Sequence, residues 1–186
     1  DANPLYNKNV TGAPDVNYAR EGTCKRMKLA NSMLSTADLA LVVVDAHRSP
    51  VTQNALFQAF LSRAEEQGLK GEKAREFALT YCSSAENFSD KDSKTWSIHS
   101  TGGAVDVYLL DQKSGKIVDL GEGQFDNPEE RTHTKYYEYL NAKGELNKEQ
   151  KGFLNARRVL FNVMNKVGFV NYGHECFHYS FNDPYY

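Results

Sequence analysis

The chain has 186 residues, 40% of them hydrophobic and 25% charged, with a formal net charge of -2. That composition fits one ordinary globular domain, residues 1–186, large enough to close a core, and the mild negative charge leaves no basic footprint for nucleic acid or an anionic membrane. No apolar run approaches the ~20 residues that a membrane-spanning helix needs, and three cysteines are too few for a disulfide framework.

Residues 1–22 contain Pro4, Gly12, Pro14 and Gly22 among scattered tyrosines and read as an extended arm along the surface. The chain begins at Asp1, from a removed signal peptide or a trimmed chain; the expectation is an exported protein, periplasmic or secreted, with a cytoplasmic location the alternative. From Thr23 the spacing predicts a helix with Met27, Ala30, Asn31 and Leu34 near one face. Residues 38–45 form a continuous apolar run rich in β-branched side chains, which predicts a buried central strand that delivers Asp45, His47 and Arg48 to one sheet edge. Ser49 and Pro50 supply an N-cap and a first-turn proline for the next helix, whose inner stripe is Ala55, Leu56, Ala59, Phe60 and Arg63. A further helix follows from about residue 72 to 82, with Ala74, Phe77, Ala78 and Tyr81 inward. Residues 83–95 are a polar loop, read either as a lid or as a passive connection.

Residues 97–106 read Ser-Ile-His-Ser-Thr-Gly-Gly-Ala-Val-Asp. Gly102 and Gly103 allow a tight turn between His99 and a strand at 104–110. Asp106 then interrupts an otherwise apolar strand, and a buried carboxylate is costly unless it is paired or binds metal; the bland alternative is an exposed residue on an edge strand. A hairpin turn at 111–116 leads to a second strand at 117–120, then a loop carrying Phe125 and Asp126. His133 reads as a surface residue, and 134–146 show no strong pattern. Asn147 caps a long helix to about Val167, with Phe153, Leu154, Val159, Leu160, Val163, Met164 and Val167 on its apolar face. Lys148, Lys151, Arg157 and Arg158 form its solvated side.

Near the C-terminus, His174-Glu175-Cys176-Phe177-His178 matches the letters of the H-E-x-x-H zinc motif. That motif needs a helix, whereas Gly173 precedes it here and a strand-like alternation follows, so the helical reading is rejected. In a strand, residues 175 and 178 face opposite ways, so a local turn or bulge is required to bring both to one metal. Cys24 and Cys82 are available to pair in an oxidising compartment, and Cys176 reads as a fourth ligand or a packed thiol.

Taken together, S-x-H-x-x-G-x-A-x-D at 97–106 and E-x-x-H-Y at 175–179 resemble the zinc D-alanyl-D-alanine dipeptidases, a group related to DD-carboxypeptidases and to the Hedgehog signalling domain. Asn9-Val10-Thr11-Gly12 is similar to that family's N-F-T-G, residues 45–50 to its D-G-Y-R-P, and Phe125-Asp126 with Glu130-Arg131 to its F-D…E-R segment. The resemblance implies an α+β fold, a mainly antiparallel central sheet carrying the zinc site with helices packed outside. It implies one zinc ion held by His99, Asp106 and His178, a base at Glu175 and a transition-state cation at Arg48. It further implies a substrate pocket involving Ser97, Asp126, Tyr6 and Phe177, with Tyr18 a second candidate on the arm. The implied substrate is D-Ala-D-Ala or a peptidoglycan peptide; stem-peptide carboxypeptidase and L-Ala–D-Glu endopeptidase activities are alternatives on the same site. Hedgehog-type relatives keep the zinc yet act as binding modules, and the presence here of both Glu175 and Arg48 argues for catalysis. Where the family has two Trp between the Glu and the His this chain has Cys176 and Phe177, and where it has Gly-Tyr before the Arg this chain has Ala46 and His47. These departures bear on the size and identity of the substrate.

Overall fold

The structure, a computed structural model, describes residues 10–123 and 130–181. The apolar run becomes β1 (Leu39–Asp45) and the stretch after Gly103 becomes β2 (Ala104–Asp111). They pair antiparallel from Leu39 opposite Asp111 to Val43 opposite Val107, and a bulge then sets Asp45 opposite Asp106. The predicted hairpin is present, but its second strand is only β3 (Lys116–Ile117). Two further short strands, β4 (Val170–Asn171) and β5 (His178–Ser180), complete an antiparallel sheet ordered β1-β2-β5-β4, with β3 beside the far half of β2.

The central strand is therefore β2, buried from Ala104 to Leu109, and not β1, which lies at the sheet edge with most of its residues half-buried. A continuous apolar run reports that both faces are covered. It carries no information about whether both hydrogen-bonding edges are occupied.

Among the described residues, five α-helices cover the sheet. α1 (Glu21–Leu34) packs on β1 and on α5 (Lys148–Lys166), joining Ala30 and Leu34 to Leu160, Met164 and Phe169 in one core. Asn31 does not belong to that stripe. It is exposed, and its Oδ1 accepts the Leu41 N–H at 2.8 Å, which ties β1 to the helix. α2 (Pro50–Glu66) starts as predicted, with Ser49 accepting from the Thr52 N–H, and packs against α3 (Glu72–Tyr81). Its buried stripe is Thr52, Gln53, Leu56, Phe57, Phe60 and Ala64, rotated from the predicted one, so that Arg63 turns outward to Glu66. α4 (Tyr136–Lys143) was not predicted because it buries Tyr137 alone and so shows no apolar stripe. Gly144 ends it with φ 74, where a residue with a side chain is strained.

On α5 the Asn147 cap forms a full capping box with Gln150, but Val159 is exposed and Arg157 is buried. Arg157 donates from Nε to the Leu120 carbonyl at 2.7 Å, from Nη1 to His133 at 2.8 Å and from Nη2 to Arg131 at 2.6 Å. A charge placed among other charges on a helix looks solvated from sequence, and here it instead satisfies three backbone carbonyls at once. All three cysteines are free thiols; Cys82 receives the Gln53 amide at 3.1 Å and does not pair with Cys24. Among the described residues, no helix is long and apolar enough to cross a membrane.

Candidate metal centre and active site

Directly opposed residues in an antiparallel sheet share a face. The register sets Asp45 opposite Asp106 and Asp106 opposite His178, so these side chains form a row across β1, β2 and β5. His99 joins the row from the turn that precedes β2. There the Gly102 N–H returns to the His99 carbonyl at 3.0 Å, with Gly102 at φ 73. A Cβ at Gly102 would stand 3.3 Å from the Arg20 backbone nitrogen, a close approach that also favours glycine. The His99 Nδ1 lies 2.6 Å from the Ala46 carbonyl. A carbonyl can only accept, so this contact places the ring proton on Nδ1 and leaves the Nε2 lone pair for a metal.

Glu175 arrives on the turn that the strand argument requires. The His178 N–H bonds the Glu175 carbonyl at 3.2 Å, and β5 begins only at His178. The Asn171 amide braces this turn, donating to the Glu175 and His178 carbonyls at 3.1 and 2.9 Å. Glu175 Oε2 then stands 3.7 Å from His178 Nδ1, on the same side. There is no helix at 174–178, and His174 lies exposed outside the site.

One ligand atom each from His99, Asp106 and His178 lie within 4.8 Å of one another, and this is the one such group among the described residues. His99 Nε2 is 3.1 Å from His178 Nδ1, His178 Nδ1 is 2.9 Å from Asp106 Oδ1, and His99 Nε2 is 3.5 Å from Asp106 Oδ2. Donors about 2.0–2.2 Å from one zinc ion stand at such mutual distances. All three side chains are buried, and two imidazoles with one carboxylate are a donor set that zinc accepts with a position left for water, so the residues fit the ion. Burial alone would raise the Asp106 carboxyl, but its interactions with the His99 and His178 imidazoles outweigh it and hold the group far below the usual range. Burial raises the Glu175 carboxyl, and Asp106 adds to this against His178 and Arg48.

Arg48 is buried with Nε 2.8 Å from Asp45 Oδ2 and Nη2 2.7 Å from Asp106 Oδ2. It lines a cavity of about 160 Å³ together with His99, Glu175 and His178, and Gln53 and Tyr81 supply part of the wall. Tyr172 also borders it, held by its hydroxyl donating to the Thr80 carbonyl at 2.8 Å. Gln53, Tyr81 and Tyr172 were missed from sequence. Gln53 sits at a helix position that looks ordinary, and the two tyrosines are single aromatics among many.

The remaining predicted pocket residues fall elsewhere. Ser97 Oγ is turned into its own loop, pairing with Ser100 Oγ at 2.8 Å and accepting the Ser100 N–H at 3.1 Å. Phe177 does not border the cavity. It is fully buried in the core, stacked on Tyr108 with ring centroids 5.8 Å apart, because the residue after the turn and before β5 faces away from His178. Cys176 is likewise a core thiol, its pKa pushed up to about 12 by burial, and stands outside the donor group. Tyr18 is exposed beside a separate cavity with Arg20 and His47. Tyr6, Phe125 and Asp126 lie outside the described residues.

A family model, Peptidase_M15, described as D-ala-D-ala dipeptidase, matches residues 7–186. A D-alanyl-D-alanine dipeptidase of Synechocystis sp. is 28% identical over 178 residues, covering 88% of this chain and 69% of the relative. Two solved structures are similar in shape at low identity. One is the vancomycin-resistance D,D-pentapeptidase VanY in complex with zinc, at 12% identity and TM-score 0.48 over 97% of this chain and 82% of that one. The other is VanYB in complex with D-alanine-D-alanine, at 13% identity and TM-score 0.49 over 94% and 81%. With the family model matched over nearly its whole length, the chain belongs to Peptidase_M15, the D-Ala-D-Ala dipeptidase family, and is a peptidase.

Proposed function

We propose that this chain hydrolyses the free dipeptide D-Ala-D-Ala through a metal-activated water, with Glu175 as general base and Arg48 stabilising the oxyanion. The observation that carries the reading is one cavity lined by His99, His178, Glu175 and Arg48, with Asp106 completing the buried donor group beside it. Zinc, when bound by His99, Asp106 and His178, supplies Lewis acidity, bringing the pKa of a bound water towards about 7.

Glu175 has the position for proton transfer. Its Oε2 lies 3.7 Å from a ligand nitrogen, so a water next to the ligands is within its reach. The carboxylate takes the proton as water attacks the peptide carbon, then returns it to the departing amine nitrogen. Arg48 keeps its charge at every working pH, and its contacts with Asp45 and Asp106 fix the guanidinium at the cavity wall, where it faces the charge that develops on the carbonyl oxygen. Asp106 thus serves twice, as ligand and as the brace that aims Arg48.

The size of the cavity supports a small substrate. About 160 Å³ is well below the ~300–1,000 Å³ typical of pockets for drug-sized ligands. The similar Synechocystis protein is named for the same dipeptide. The test is amine release from purified zinc-loaded protein, with D-Ala-D-Ala and a peptidoglycan stem pentapeptide run side by side. Cleavage of the dipeptide alone is expected. Cleavage of the pentapeptide would redefine the enzyme as a wall-trimming peptidase, and release from neither would overturn the dipeptidase reading.

A further inference from the structure

The turn that carries Glu175 also carries His174, which the catalytic cavity does not use. Its Nδ1 faces the Nε2 of His133 at 3.3 Å, with ring centroids 4.8 Å apart and ring planes at 86°. The catalytic imidazoles have nearly the same relationship. There too an Nε2 (His99) faces an Nδ1 (His178), at 3.1 Å, with centroids 4.8 Å apart and planes at 69°.

Two nitrogens bound at about 2.0–2.1 Å to one tetrahedral zinc ion stand about 3.3–3.4 Å apart. The His133–His174 separation matches that value and is longer than the usual N–H···acceptor range. The pair is built into a fixed frame. The His133 carbonyl accepts from buried Arg157, the Thr134 N–H bonds the Gly173 carbonyl at 3.1 Å, and the Cys176 N–H bonds the Thr132 carbonyl at 3.0 Å. Each imidazole is therefore held on backbone that is itself cross-linked to the other's.

We propose that His133 and His174 form a second metal site, outside the catalytic cavity, that takes a borderline divalent transition ion such as zinc, with water completing the coordination. Imidazole is the ligand such ions prefer, and two protein ligands with exchangeable water make a site weaker than the buried centre. An ion there would link residues 130–134 to the turn at 173–176, which backbone hydrogen bonds already hold together.

The experiment is titration of the zinc-loaded protein with zinc chloride by calorimetry, with bound metal counted after equilibrium dialysis, for the wild type, His133→Gln and His174→Gln. The expected result is a second, weaker equivalent in the wild type that each variant loses while keeping the first equivalent and its basal turnover. A wild type that holds one equivalent, unchanged in both variants, overturns the proposal and leaves the pair a hydrogen bond between imidazoles. A second equivalent that persists in both variants overturns it too. A single equivalent that both variants abolish would instead uphold this site and defeat the catalytic-centre assignment, so the two readings fail separately.

Discussion

Arg48 and Asp106 meet at 2.7 Å, Nη2 to Oδ2, with both side chains almost fully buried. The same guanidinium holds Asp45 through Nε. One guanidinium thus faces two buried carboxylates, sharing Asp106 with His99 and His178. Breaking a buried pair by deleting one partner costs about 3–5 kcal/mol. Arg48→Ala is expected to lower the melting temperature markedly as well as abolish turnover. Arg48→Lys keeps a charge but not the fork that spans two carboxylates, and should lose on the order of 10²–10³ in kcat. Thermal unfolding and amine release read the two effects apart, and an Arg48→Ala protein as stable as wild type would show that the fold does not depend on Arg48 as counter-charge for Asp45 and Asp106.

Glu175→Gln should separate metal binding from chemistry, because Glu175 lies outside the donor group. Zinc content is expected to stay at the wild-type level while kcat falls by about 10²–10⁴, the range for losing a general base. His178→Ala should lose zinc and activity together. Near-normal turnover in Glu175→Gln would remove the residue from its assigned role.

Glu122 gives the stability of the fold a pH dependence. Its Oε1 accepts the Tyr108 hydroxyl at 2.7 Å, and its Oε2 is buried with no hydrogen-bond partner among the described residues. Burial raises its pKa from the ordinary 4.5, against the Tyr108 hydrogen bond. The folded protein therefore binds this proton more tightly than the unfolded chain. The contribution is fully present below 4.5 and is lost as pH climbs through the raised value. Glu122→Gln keeps an acceptor for Tyr108 and cannot ionise, so the fall in stability from acid towards neutral pH should flatten. Urea denaturation across that window measures it; parallel curves for the two proteins would break the linkage.

The thiols should differ in reactivity. Burial pushes Cys82 and Cys176 each up to about 12, whereas Cys24 is only half-buried on α1. The thiolate is the reacting species. In mildly alkaline buffer a thiol reagent should modify Cys24 in the native protein and all three cysteines once it is unfolded. Rapid modification of Cys176 in the native state would contradict its place in the core.

The donors were legible because the chemistry of His99 and Asp106 is written in one short block, and a strand cannot carry Glu175 and His178 on one face without the turn that is found. Phe177 was misjudged because a residue between two site residues in sequence need not share their side of the sheet. Arg157 and Asn31 were hidden for another reason: their partners are backbone groups, which no side-chain pattern announces. The stripe of α2 was misread at Gln53 and Phe57 because α3 covers a second flank of that helix, adding buried positions that simple periodicity does not separate.

The row Asp45, Asp106, His178 exists only in one strand register. If β5 slipped along β2 by one residue, Tyr179 would stand opposite Asp106 and His178 would point through to the other side. Mispaired chains therefore lack the tridentate cluster and gain nothing from the ion, while correctly paired chains are drawn forward by mass action. Zinc supplied during refolding should therefore favour the one alignment of β5 that the buried Tyr179 also selects.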